Sequence, residues 1–231
     1  MVSPRALPFR DTFPAGHLHE TRRPRPAIAA HPHRAVNRSP STVNLLPLQC
    51  PPMSRITPLD LADVSGTTRE LFARVGAQRG KVPNMFRAFA HRPAIVETLV
   101  AHLDAVTHDG TVPRRTKELV ATLVSRLNDC GYCDRSHTRQ AATAGASEEQ
   151  LAALVDFERG PFSEAEKAAL AYARQLTLDA HEIDDALFAR LRAHYDEGEV
   201  IELSAMAGLF NYFNRVNDAL RFESTKTGEG L

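Results

Sequence analysis

The chain has no stretch of roughly 18 continuous apolar residues, the length a membrane-spanning helix requires. Its N-terminus also lacks the apolar core of a secretory signal. Both absences point to a cytoplasmic protein with no membrane partner. Excess charge is missing too, since Lys+Arg and Asp+Glu balance at 28 each. Met1–Ser54 carries seven Arg against only Asp11 and Glu20, which leaves 21 basic and 26 acidic groups in the remainder. A mildly acidic body is a poor match to nucleic-acid phosphates, so DNA and RNA are not expected partners. Cysteine is scarce, at 3 residues, and an odd count speaks against a disulfide framework. In a reducing compartment, a close Cys pair is more often catalytic or metal-binding than a staple. Alternation with a period of two is nowhere sustained, which removes sheets from consideration.

What is present divides the chain in two. Residues 1–52 hold ten of the 15 prolines and four of the 10 histidines, with no apolar periodicity. Proline at that density forbids helix interiors, and the segment reads as a disordered extension. Its arginines suggest a transit peptide, but the prolines spoil the amphipathic helix such peptides use, and Met53 is a candidate natural start. Cys50 needs no functional account.

Residues 53–231 read as one helical domain. Thr67 or Thr68 opens a helix closed by Gly80, and Asn84 is placed as the cap of a short turn holding Met85, Phe86 and Phe89. Pro93 and Pro113 start two longer helices. Asn128 or Asp129 is the expected cap of the helix from Cys133 to Ala144, with Gly145 ending it. Capping boxes at Ser147/Gln150 and Ser163/Glu166 open two more. Helices over about 183–195 and from Glu199 to Phe222 complete an all-α bundle of seven to nine helices.

The chemistry concentrates at Cys130-Gly-Tyr-Cys133 with His137 following. On a helix these three positions fall within roughly 60° of one another, and His137 stands in the i,i+4 relation to Cys133. A thiolate is favoured near a helix N-terminus and beside an imidazole. Asp129 places negative charge near Cys130, so Cys133 is the expected nucleophile and Cys130 the resolving thiol. Glu118 points away from the apolar face of its own helix, and periodicity alone makes it a solvated carboxylate. Ala121, Thr122 and Ser125 share its face, however. If the Cys-bearing helix packs on those small residues, Glu118 would meet and orient His137.

The pattern Glu118-x11-Cys130-x2-Cys133-x3-His137 resembles the alkylhydroperoxidase D-like, peroxidase-related branch of the carboxymuconolactone decarboxylase family. The flanks Val82-Pro83-Asn84-Met85-Phe86 and Phe210 to Val216 resemble it as well, and the likeness covers about 56–222. The resemblance implies an all-helical fold assembled as a homo-oligomer, a trimer or hexamer, and hydroperoxide reduction without metal or cofactor. It implies that Cys133 becomes a sulfenic acid, that Cys130 supplies a proton and then closes the Cys130–Cys133 disulfide, and that Glu118 and His137 form a proton relay. The reductant it implies is a dithiol, which could be a lipoyl protein, a thioredoxin-like protein or a small thiol. Tyr132 departs from the pattern of the best-studied members, which carry a second histidine between the cysteines, and a phenol cannot shuttle protons at neutral pH as an imidazole does.

Two other readings stand beside this one. Cys130, Cys133, His137 and Glu118 could ligate a catalytic zinc, although no second Cys/His cluster completes a closed zinc module. The cysteines could instead sense oxidants or fill a core without catalysis. His91, His102, His108, His181 and His194 read as surface or capping groups. Asn211, Asn214 and Asn217 read as internal hydrogen bonds satisfying buried backbone, and Phe210, Phe213 and Val216 as core or subunit contact.

Overall fold

Helix signals in the sequence become helices wherever a cap or a glycine marks the boundary. The computed structural model describes residues 54–108 and 110–231, and the expectations for residues 1–52 and Met53, Cys50 included, lie outside them. Among the described residues there are nine α-helices and no strand. They are α1 (Gly66–Arg79), α2 (Asn84–Phe89), α3 (Pro93–His108), α4 (Arg114–Leu127), α5 (Gly131–Thr143), α6 (Glu148–Ala153), α7 (Glu164–Leu178), α8 (Asp185–Arg192) and α9 (Glu197–Leu220). No described helix is long and apolar enough to cross a membrane.

Three boundaries follow the expected chemistry. Gly80 ends α1 in the left-handed region at φ 66°. Ser147 with Gln150 and Ser163 with Glu166 close reciprocal capping boxes at the starts of α6 and α7. A third box, Asp196 with Glu199, opens α9 two residues before the expected start. Two caps differ from expectation. Asn84 is the first residue of α2 rather than its cap, and its side chain instead donates to Glu223 O at 3.1 Å and accepts from Arg87. Neither Asn128 nor Asp129 caps α5, because both are used to end α4.

That α4–α5 junction sets the register of the site. Asp129 takes the left-handed conformation, φ 55°, and the Cys130 and Asp129 amides donate to Ser125 O and Arg126 O at 2.9 and 3.1 Å. This is a Schellman turn with Asp in the place usually held by Gly. Cys130 then serves directly as the N-cap position of α5. With so few residues between them, α4 and α5 must run back along each other. Arg126 ties the pair together by donating to Asp134 Oδ1 at 3.0 Å, and it also reaches Leu151 O of α6 at 2.5 Å.

α4 lies at the centre, packed against α5, α7 and α9. Leu119, Val120, Leu123 and Val124 fill the core on its apolar face. Ala121, Thr122 and Ser125 are equally buried on the opposite face, where α5 and α9 pack. Small side chains permit that second approach, so every residue from Thr116 to Ser125 is buried. The C-terminal segment returns to the α1–α2 loop, where Val82 N donates to Glu229 O at 3.0 Å and Asn84 N to Thr225 Oγ1 at 2.7 Å.

Candidate active site

Because α5 folds back on α4, Glu118 and His137 meet across the hairpin. Glu118 stands nine residues before the end of α4 and His137 six after the start of α5, so the two lie at similar heights. His137 Nδ1 is 2.7 Å from Glu118 Oε2, and Glu118 is 1% exposed. The solvated carboxylate expected from periodicity is therefore a buried one. The packing of α5 on the small-residue face of α4 is what overturns that expectation. A buried carboxylate accepts from Nδ1–H, which leaves Nε2 of His137 as the free ring nitrogen. Phe210 packs edge-on to the imidazole, with ring centroids 4.3 Å apart at 77°, and fixes its plane. Arg114 Nε, 3.7 Å from Glu118 Oε1, places a cation beside the carboxylate.

Cys130 and Cys133 are free thiols, both buried. Cys133 lines a narrow cleft with His137, Tyr132, Phe210, Phe213 and Asn217. About 70 Å³ of that cleft is open to water-sized groups. Cys130 is fully buried behind it. Of the two thiols, Cys133 is therefore the one that lines the cleft.

Acidity is arranged differently from the sequence expectation, which made Cys133 the better-stabilised thiolate. A hydrogen bond from the Cys133 thiol lowers the pKa of Cys130 despite its burial. That shared hydrogen bond, followed by burial, pushes Cys133 up. The pair thus releases one proton readily and holds the second tightly. The carboxylate opposing ionisation of Cys130 is Asp218 on α9, not the neighbouring Asp129.

Asn217 is the site residue that sequence reasoning passed over. Its Nδ2 donates to Cys133 Sγ at 3.1 Å, and it is 1% exposed. The Asn stripe of α9 bonds mainly to side chains rather than to orphaned backbone. Asn128 Nδ2 donates to Asn211 Oδ1 at 2.9 Å and Asn214 Oδ1 at 3.1 Å, and Asn214 donates to Ser125 Oγ at 3.2 Å. The spacing of 211, 214 and 217 along an apolar helix was the available signal. It marks one polar face, and that face meets the α4–α5 turn. Phe210 and Phe213, expected as core, are core and cleft wall at once. Tyr132 also forms cleft wall, and burial raises its phenol above the ordinary range.

Replacing Asn217 with Ala is expected to slow alkylation of Cys133 about tenfold at neutral pH, since the amide hydrogen bond favours the thiolate. Its pH–rate profile should shift upward, and an unchanged profile would show that the contact does not act on the sulfur. The zinc alternative finds no donor set, as no three His, Cys, Asp or Glu side chains among the described residues converge to hold a metal.

The sequence profile described as "Carboxymuconolactone decarboxylase family" matches residues 93–175, which include Glu118, both cysteines and His137. An uncharacterised Bacillus subtilis (strain 168) protein, YdfG, is 31% identical over 124 residues, spanning 53% of this chain and 84% of its own. The chain belongs to the carboxymuconolactone decarboxylase family. The crystal structure of an alkylhydroperoxidase AhpD core, an uncharacterised peroxidase-related protein from Ralstonia eutropha JMP134, has the same fold. Its TM-score is 0.69 at 24% identity, over 76% of this chain and 94% of that one. The debrominase Bmp8, solved with 2,3,4-tribromopyrrole, shares the fold as well. Its TM-score is 0.66 at 22% identity, over 75% of this chain and 92% of its own. The fold is thus that of alkylhydroperoxidase D-like family members, as the resemblance implied.

Proposed function

We propose that the chain is a thiol-dependent peroxidase in which Cys133 attacks and Cys130 resolves. The observation that carries this reading is the layered arrangement behind the cleft: Cys133 at the cleft wall, Cys130 buried behind it, and the His137–Glu118 pair one turn along α5. His137 takes the more acidic proton of the thiol pair, and the buried Glu118 carboxylate stabilises the imidazolium. The remaining proton passes from Cys133 to Cys130 as a hydroperoxide enters. Cys133 sulfur attacks the terminal oxygen, the O–O bond breaks, and the departing alkoxide takes the proton from Cys130. Cys133 is oxidised to a sulfenic acid and the peroxide is reduced to an alcohol. Cys130 thiolate then displaces hydroxide from Cys133, forming the disulfide, and His137 returns its proton to make water. An external dithiol of lipoyl, thioredoxin-like or small-thiol type restores the pair by exchange. The assembly in which this occurs is a homo-oligomer.

One equivalent of organic hydroperoxide added to the reduced protein is expected to consume both thiols and leave an intramolecular Cys130–Cys133 disulfide, seen by peptide mass. Turnover should follow when a dithiol is supplied. Thiols that survive a panel of hydroperoxides would overturn the reading. Thiols consumed by halogenated aromatics instead would favour dehalogenation, since the debrominase Bmp8 shares this fold.

A further inference from the structure

The walls and the rim of the thiol cleft differ in character. Met85, Phe86, Leu103 and Phe213 make the interior apolar. At the rim, Arg79, Ser136 and Gln140 belong both to the cleft and to an adjoining depression that Lys81, Arg114 and Arg139 also line. A second depression on the Tyr132 side shares Arg79, Lys81 and Arg139 and adds Arg135. Among the described residues Asp104 is the single acid lining either depression, and it lies 3.9 Å from His108 Nδ1.

Some of these cations are committed. Lys81 donates to Thr225 O at 2.8 Å, Arg135 to Ser224 Oγ at 2.9 Å, and Arg114 faces Glu118. Arg79 and Arg139 are exposed and have no partner among the described residues. Five cations around one opening stand out on a body whose acids outnumber its bases. A concave surface lined by one sign of charge concentrates ligands of the opposite sign, and a guanidinium fork matches a carboxylate.

We propose that this rim is an anion-recognition site and that the hydroperoxide admitted to the cleft carries a carboxylate. The carboxylate seats on Arg79 and Arg139 while an apolar segment runs down the Met85–Phe213 wall and delivers the peroxide group to Cys133. The substrate half of this proposal rests on the peroxidase reading; the anion site does not.

Two measurements separate them. In the first, the reduced protein is alkylated with iodoacetate and with iodoacetamide, and the rate ratio at Cys133 is normalised to a free thiol peptide. The anionic reagent is expected to be favoured on the order of tenfold, with the preference falling at high salt. The preference should be lost in Arg79→Gln/Arg139→Gln and retained in Arg79→Lys/Arg139→Lys. In the second, kcat/KM is compared for a carboxylated alkyl hydroperoxide and its methyl ester at a fixed neutral dithiol. The acid is expected to be favoured by a similar factor, with the same response to the variants. A normalised ratio near one that ignores the Arg variants overturns the anion site. An alkylation preference with equal turnover of acid and ester overturns the carboxylated peroxide and leaves the site standing. Neither peroxide turning over, with the alkylation preference intact, overturns the peroxidase reading and supports the anion site alone.

Discussion

Cys133→Ser is expected to lower peroxide turnover by on the order of 10³-fold or more, because a hydroxyl at that position has no accessible anion to attack with. Cys130→Ser should stop the cycle one step later. In that variant Cys133 still faces the cleft with the Asn217 amide on its sulfur, so it should be oxidised once and remain a sulfenic acid that dimedone traps. The asymmetry between the two variants is the discriminating result. Acidity alone would assign the attack to Cys130, whose thiol is lowered by the hydrogen bond from Cys133. Access assigns it to Cys133. If dimedone instead traps a sulfenic acid at Cys130 in Cys133→Ser and none at Cys133 in Cys130→Ser, the assignment of roles is reversed. If both variants turn over like the parent, the cysteines are not the reacting groups and the proposed mechanism falls. Serine puts a more polar hydroxyl in place of each buried thiol, so urea titration of both variants should first show that they remain folded.

The second large effect is expected at Glu118. Its carboxylate is buried against His137 with no water-facing surface to relax into. Glu118→Leu would strip a buried, hydrogen-bonded partner from the imidazole, and a loss of about 3 kcal/mol in unfolding free energy is expected. Glu118→Gln separates chemistry from folding. The amide oxygen can still accept from His137 Nδ1–H, so the fold should hold, but the imidazolium formed during turnover loses its counter-charge. Turnover should then fall on the order of 10²-fold, while alkylation of Cys133 by a small neutral reagent changes much less. A Glu118→Gln protein with the parent's rate would remove His137 and Glu118 from the proton path, whatever its stability.

Most helix boundaries were legible because they are local. Gly80, the Ser147/Gln150 and Ser163/Glu166 boxes, and the apolar runs of α3 and α4 each act within a few residues of where they are read. The cap of α5 was misplaced for a related reason. Both Asn128 and Asp129 have capping side chains, and only the geometry of the turn shows that they end α4 instead. Cys130, Cys133 and His137 were legible as one face of one helix, since helical periodicity fixes which side chains share a side.

Glu118 was reached only conditionally, through the small residues on its face and through the family pattern, and Asn217 was beyond that reach. Periodicity describes a helix as having one buried face, and α4 has two, the second made of residues too small to register as apolar. Whether a carboxylate on that face meets water or an imidazole depends on what packs there. The Schellman turn at Asp129 decides it by sending α5 straight back along α4. Asn217 lies 84 residues from Cys133, and no local rule connects them. The sequence by itself determined an all-helical chain and one thiol–imidazole face on it. Only the tertiary structure decided which groups surround that face, which thiol meets the cleft, and that arginines from α1, α4 and α5 gather at its mouth, because packing brings together residues that sequence distance keeps apart.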